Sequence, residues 1–437
     1  MKTETEIFIY CRNFSARLDY IAGFLSDSLG LRFRIADKIV NDDKPLIHYG
    51  KVPDSKIFSI PDSGFLHEKG IRPFIPEIHR ENGVFLFPVK GNFNLQFDLF
   101  AAIFYLISRY EEYLPFIPDR HGRFEIAQSF SYRNDFHQEP VIDKWLILLR
   151  KALTDKYPRL IFPDKKYAFI PTIDIDSPWA FRYRRKGRNL PGLAKSIMLG
   201  NLKEARYRLQ SLAGAVSDPF DVYSFIRETD KKYKTKSLIF FLLADNGFLD
   251  PNHSLESEEF KRLMDDLSAD YELGIHPSYA SNSQEKKLDQ ELELYRSFVG
   301  KSPEKSRQHY LILKFPETYR KLVQKGLKDD YSMGYASSPS FRAGTTLPFR
   351  FYDLEREQKT DLTIHPFAVM DITMQKYMKV NPEKAIQVVS QIIQKIREVN
   401  GVFTSLWHNE SLSEFGPWKG WRKVYIQMIS QATEGIC

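Results

Sequence analysis

Four short stretches of this 437-residue chain combine carboxylates, imidazoles and a guanidinium in ways that suit hydrolytic or metal chemistry. Pro171-Thr172-Ile173-Asp174-Ile175-Asp176-Ser177-Pro178-Trp179 sets two aspartates two positions apart, and the period of a strand puts both on one face. Gly274-Ile275-His276-Pro277-Ser278-Tyr279 ends an apolar run on a histidine, and Arg307-Gln308-His309-Tyr310 joins an arginine to another. Val402 to Trp407 is an apolar run that delivers His408, Asn409 and Glu410. Two carboxylates and three imidazoles near strand ends form a donor set that suits a divalent ion such as zinc. Each also has a structural reading: the Asp-x-Asp as a turn or helix cap, His276 bonded to its loop, His309 as a core histidine beside Tyr310.

The elements that must carry these residues follow from hydrophobic periodicity. From about Tyr167 onward, short β-rich runs alternate with helices, the pattern of a βα architecture with a largely parallel sheet. The expected strands are Tyr167 to Ile173, Ser237 to Leu243, Tyr271 to Ile275, Gln308 to Leu313, Leu362 to Met370 and Gly401 to Trp407. Leu288, Leu292, Tyr295 and Val299 share a helix face that ends at Gly300, and a second amphipathic helix starts at Asn381-Pro382, a cap followed by a first-turn proline. Parallel sheets place function at the carboxyl ends of their strands, which is where the polar stretches fall. A charged, helical segment around 189–234 reads as an insertion.

The first ~150 residues have a different texture, with extended runs at Ile7 to Tyr10, Leu31 to Ile35 and Gly83 to Val89. They also hold a helix, Asn94 to Tyr113, that is apolar around most of its circumference and must be enclosed; Asp119 to Phe124 reads as a turn and Val141 to Leu153 as a further helix. We expect two domains, 1–155 and 165–437. Composition is ordinary for a globular protein, with 43% hydrophobic and 27% charged residues. Phe 34, Tyr 23 and Trp 5 supply many flat surfaces, for core packing or for stacking on sugars. A net charge of +7 falls short of a dedicated nucleic-acid binder. The basic run Phe181 to Arg188 reads as a solvated loop that could also attract phosphate or uronate. Cys11 and Cys437 are too few for a disulfide framework. Glu4 and Glu6 interrupt any leader-like apolar stretch, and Leu99 to Ile107 is about half the ~20 residues that span a bilayer, so a cytoplasmic protein is expected.

The order and spacing of the polar stretches resemble the polysaccharide deacetylases of the NodB homology type, metal-dependent carbohydrate esterases. Thr172-Ile173-Asp174-Ile175-Asp176 resembles the first motif of that family, Gly274 to Ser278 its histidine motif and Arg307 to Tyr310 its arginine motif. Asp330-Tyr331-Ser332-Met333-Gly334-Tyr335 and Leu406-Trp407-His408-Asn409 resemble two further ones. The resemblance implies a distorted (β/α) barrel, with a smaller α+β domain ahead of it as in a bacterial subgroup. Two departures stand out. Ile175 separates aspartates that are usually adjacent, and Ala280 stands where a second histidine is usual; His309 is the best replacement, with His253 a weaker one.

On this resemblance the expected activity is hydrolysis of an N-acetyl group on a sugar or polysaccharide, in cell-surface glycan metabolism. Asp176, His276 and His309 would hold a divalent metal, zinc first, with cobalt, nickel or manganese as alternatives. Asp174 would act as base, tuned by Arg307, and His408 as acid toward the departing amine. Trp179, Tyr279, Tyr335, Arg342 and Trp407 would wall a substrate groove, although Trp407 also suits a core. The alternative is a catalytically silent glycan-binding or scaffold member of the same fold. A metal-dependent esterase or amidase acting on a non-sugar molecule would use the same residues. No nucleic-acid partner is expected, and the glycan and the oligomeric state are left open.

Overall fold

A computed structural model describes residues 6–39, 44–50, 57–184, 189–244, 247, 249–250, 255 and 257–435. Glu4, His253, Cys437 and the second half of the basic run lie outside these residues.

The N-terminal segment builds a four-stranded sheet from β1 (Glu6–Tyr10), β2 (Arg32–Ala36), β3 (Leu46–Tyr49) and β4 (Phe58–Ile60), in the order β2-β1-β3-β4 with every pair parallel. The helix Ala16–Leu29 follows β1, capped by Ser15 and stopped by Gly30 in the left-handed region at φ 69. The run expected as a strand at Gly83 to Val89 pairs only over β6 (Phe85–Leu86), antiparallel to β5 (Ile78–His79). The apolar helix is Leu99–Ile107, with all nine residues buried and Asp98 accepting from the Ala101 amide. Its expected continuation is a separate 3-10 turn, Tyr110–Tyr113. The helix Val141–Lys156 then packs its Trp145, Leu146, Leu149 and Leu153 inward.

The remainder of the chain forms a nine-stranded sheet. Its strands are β7 (Ala168–Ile175), β8 (Leu238–Phe241), β9 (Glu272–Ile275), β10 (Lys305–Ser306), β11 (Asp329–Asp330), β12 (Phe349–Asp353), β13 (Gln358–Ile364), β14 (Val369–Met370) and β15 (Val402–His408). The order is β12-β13-β11-β10-β9-β8-β7-β15-β14, parallel throughout except for the β12–β13 hairpin. The expected parallel α/β plan is therefore present, and among the described residues no ladder joins β12 to β14, so a closed barrel is not shown. The N-terminal segment covers the β12 edge: Tyr20 donates its hydroxyl to the Arg350 carbonyl at 2.7 Å, and Arg17 binds Glu357, beside the β12–β13 hairpin, at 2.6 Å. An edge covered in this way needs no further strand. The hydrophobic core is continuous from Ile7 to Ala432.

Two expected strands differ in ways that matter for the site. Leu362 to Met370 is two strands on opposite sides of the order, β13 and β14, joined by a crossing at 365–368. Gln308 to Leu313 is not a strand, because pairing ends at Ser306 and the chain turns at His309–Leu311 with Tyr310 at φ 59 and Leu311 at φ 56. The 189–234 segment is helical as expected, in Asn189–Met198, Leu202–Leu212 and Tyr223–Tyr233. The helices Glu285–Val299 and Pro382–Glu398 end and begin at the expected Gly300 and Asn381. No helix among the described residues is long and apolar enough to cross a membrane.

Candidate active site

Asp174 sits at the carboxyl end of β7, in register with His408 on the neighbouring strand β15. Asp176 follows just past the strand end, so the alternation of extended backbone turns both carboxylates toward one cavity of about 420 Å³. His276, one residue beyond β9, and His309, on the turn after β10, open into the same cavity. Donor atoms of Asp176, His276 and His309 lie within 4.8 Å of one another. His276 Nε2 is 3.3 Å from Asp176 Oδ1, and His309 Nε2 is 3.5 Å from Asp176 Oδ2.

Each imidazole is oriented from behind. His276 Nδ1 lies 2.5 Å from the Arg307 carbonyl, which accepts its proton and leaves Nε2 as the acceptor facing the cavity. His309 Nδ1 lies 2.8 Å from Asp250 Oδ1, and Asp250 is fixed in turn by the amides of Tyr279 and Ala280 at 2.7 and 3.1 Å. His408 Nδ1 lies 2.8 Å from Asp371 Oδ1, while the other oxygen of Asp371 accepts the His408 amide. Carboxylates behind ligating imidazoles fix tautomer and ring orientation. Arg307 is wholly buried. It donates through Nη1 to Asp174 Oδ1 and to the Thr172 hydroxyl at 2.7 Å each, and through Nε to the Tyr331 carbonyl at 3.0 Å.

The electrostatics follow from this crowding. Burial opposes ionisation of Asp176, but the facing imidazoles of His309, His276 and His408 prevail and hold its carboxyl well below the usual range. Burial likewise opposes a charge on His408, yet Asp371, Asp176 and Asp174 lift it to about 10. For His309 the same contest, with Asp176 and Asp250 as the carboxylates, ends at about 9.

His276 Nε2 and Asp176 Oδ1 are buried without an aligned hydrogen-bond partner. Orphaned acceptors of this kind, converging with a third donor, fit a divalent cation, and an imidazole-carboxylate donor set suits zinc. Ala280 contributes its backbone amide to Asp250, the carboxylate behind His309.

None of the five expected substrate contacts lines this cavity. Trp407 is fully buried on the opposite face of β15 from Leu406 and His408, with its Nε1 on Met428 Sδ at 3.1 Å. Period two dictates this, because a strand that aims His408 at the cavity must aim Trp407 away from it. Arg342 is buried against Glu112, and Tyr335 takes a hydrogen bond from Arg109 at 3.2 Å; both border a small adjoining pocket of about 30 Å³ that shares Arg123, Leu311, Ala336 and Tyr377 with the main cavity. Trp179 is buried edge-on to Tyr183, away from the cavity lining. Tyr279 is half-buried behind the lining, its ring against His121 and Tyr310. The walls are instead supplied by Tyr310, Leu406, Met370 and Tyr377, and by Arg120, His121 and Arg123 of the N-terminal turn. Asp250 and Asp371 were not singled out from the sequence. Asp371 follows an apolar run, a signal of the same kind as those that marked the other polar strand ends.

Residues 7–158 match a family described as of unknown function (DUF7033). No curated protein matches the chain. Solved structures similar to it include a provisionally assigned polysaccharide deacetylase from Mycobacterium smegmatis, at 13% identity and a TM-score of 0.40 over 62% of this chain and 87% of that one. A second is a provisionally assigned polysaccharide deacetylase involved in O-antigen biosynthesis from Bordetella bronchiseptica, at 12% identity and 0.33 over 60% and 90%. A third is a CE4 family pseudoenzyme from Bacillus anthracis, at 11% and 0.30 over 62% and 61%.

Proposed function

We propose that the chain is a metal-dependent hydrolase that removes the N-acetyl group from a sugar or glycan. The observation that carries this reading is the convergence of Asp176, His276 and His309, two of them with orphaned donor atoms, beside a carboxylate and a second imidazole that can handle protons. A divalent ion held by these three residues, zinc or one of its neighbours, would polarise the acetamide carbonyl and acidify a water. Asp174 takes the proton of the attacking water, and Arg307 fixes the orientation of its carboxylate. His408, held protonated by Asp371 and the nearby aspartates, delivers a proton to the nitrogen as the C–N bond breaks. Leu406, Met370 and Tyr310 exclude water around the acetyl group. Acetate and a free amine are the products.

The test is metal content by elemental mass spectrometry after dialysis, followed by acetate release from chitooligosaccharides. Near-stoichiometric metal in the wild type, lost in Asp176→Ala and His276→Ala, together with acetate release, supports the reading. Wild-type protein that takes up none of zinc, cobalt or nickel overturns it in favour of a silent glycan-binding member of the fold.

A further inference from the structure

The turn that carries His309 is the least self-sufficient part of the site. Pairing of its strand ends at Ser306, and two consecutive residues with side chains, Tyr310 and Leu311, sit in the left-handed region at φ 59 and φ 56. Such conformations cost about 1–2 kcal/mol per residue and persist only where the surroundings enforce them. Part of the enforcement is local: the His309 amide donates to the Pro277 carbonyl, and the Leu311 amide to the Gln308 carbonyl. The Asp330 to Tyr335 stretch adds to it, since the Gln308 amide donates to the Ser332 hydroxyl at 2.8 Å. The carbonyl of Tyr310, at the strained apex, is held from elsewhere in the chain by Arg123 Nη1 at 2.8 Å.

Arg123 is built for this position. It is 9% exposed, and every arm of its guanidinium is in use. Nε donates to Asp119 Oδ2 at 2.8 Å, and Nη2 donates to the Tyr377 hydroxyl at 3.0 Å. The other oxygen of Asp119 accepts the amides of His121 and Arg123 at 2.8 and 2.9 Å, and Gly122 supplies the positive φ of 78 that lets the loop close on itself. His121 packs on the Tyr310 ring at 4.8 Å between centroids, and that ring packs on His309 at 4.5 Å. The loop belongs to the segment matched by the family of unknown function, and it reaches the site of the other sheet.

We propose that the role of the N-terminal segment is to complete the metal site, with Arg123 as a positioning residue that locks the Tyr310 turn and so fixes His309 as the third ligand. This rests on the metal-site reading above and deepens it. The physical logic is that Asp176 and His276, each one residue past a strand end, are fixed by the sheet itself, whereas a histidine on a strained turn is not. A charged donor on the apex carbonyl removes the alternative backbone conformations that would swing its imidazole away.

The test is cobalt binding to the full chain, by chelator competition, for wild type, His309→Ala, Arg123→Ala, Arg123→Lys, Asp119→Asn and Arg133→Ala, with the melting temperature of each metal-free protein. Arg133 is exposed in the same segment and controls for loss of a cation. Outer partners of metal ligands are worth roughly 10–100-fold in affinity. We expect His309→Ala to abolish tight binding, Arg123→Ala to weaken it on the order of tenfold, Arg123→Lys and Asp119→Asn to weaken it less, and Arg133→Ala to leave it unchanged. If Arg123→Ala does not fold, the lysine and asparagine variants carry the same comparison. Cobalt bound as in the wild type by the folded Arg123 and Asp119 variants, but lost in His309→Ala, overturns the positioning role and leaves the metal site standing. No cobalt in the wild type overturns both.

Discussion

Nδ1 of His309 lies 2.8 Å from Oδ1 of Asp250, so this imidazole has a carboxylate behind it and its Nε2 toward Asp176. Burial works against the Asp250 carboxylate, but the hydrogen bond from His309 and the amides of Tyr279 and Ala280 hold its pKa below the ordinary value. Asp250→Asn keeps the shape but removes the charge, and its single oxygen can accept only one of the Tyr279 and Ala280 amides. Zinc affinity should fall roughly 10–100-fold, read by chelator competition; an unchanged affinity would show that His309 does not ligate.

The pair His408 and Asp371 predicts a different signature. His408→Gln should lower kcat for acetate release by about 10² to 10⁴, the range for loss of a general acid, and Asp371→Asn should lower it less. Both variants should retain the metal content of the wild type, because neither residue belongs to the Asp176, His276 and His309 cluster. Loss of metal in His408→Gln would place that residue among the ligands instead.

Glu112 bridges two buried arginines, bonding Arg109 at 2.8 Å and Arg342 through both its oxygens. Burial raises the cost of its charge, yet Arg342 and Arg109 outweigh this and keep its carboxyl below the usual range. Glu112→Gln leaves Arg342 without its carboxylate partner, while Arg109 keeps Glu111, and removing one partner of a buried pair costs about 3–5 kcal/mol. Chemical denaturation should show a loss of that order. A loss under about 1 kcal/mol would mean that water reaches these arginines.

Trp407 tests the corrected assignment of the groove. Trp407→Phe should cost roughly 1–3 kcal/mol of stability through lost packing on Tyr425 and lost contact with Met428, while KM for a chitooligosaccharide stays unchanged. A raised KM without loss of stability would return this side chain to the substrate.

The sequence by itself determined what each strand end carries. Asp174, Asp176, His276 and His408 are local endings of apolar runs, and hydrophobic periodicity reports such endings because burial of a strand depends on its immediate neighbours in sequence; Arg307 and His309 were legible only as a polar pair ahead of an apolar run that is not a strand. It also determined the helix punctuation at Gly300 and Asn381, where capping is a property of a few adjacent residues. Tertiary structure decided which of these residues meet and what holds them. Asp250 and Asp371 act on histidines 59 and 37 positions away, Arg123 acts on a carbonyl 187 positions on, and the open β12 edge is covered by a helix from the other end of the chain. No local pattern encodes such partners, since a hydrogen bond across the fold leaves no periodicity in the sequence. The face on which Trp407 falls was legible in principle from the alternation that placed His408, but which of the two faces meets the cavity and which the core was settled by the elements packed against the sheet.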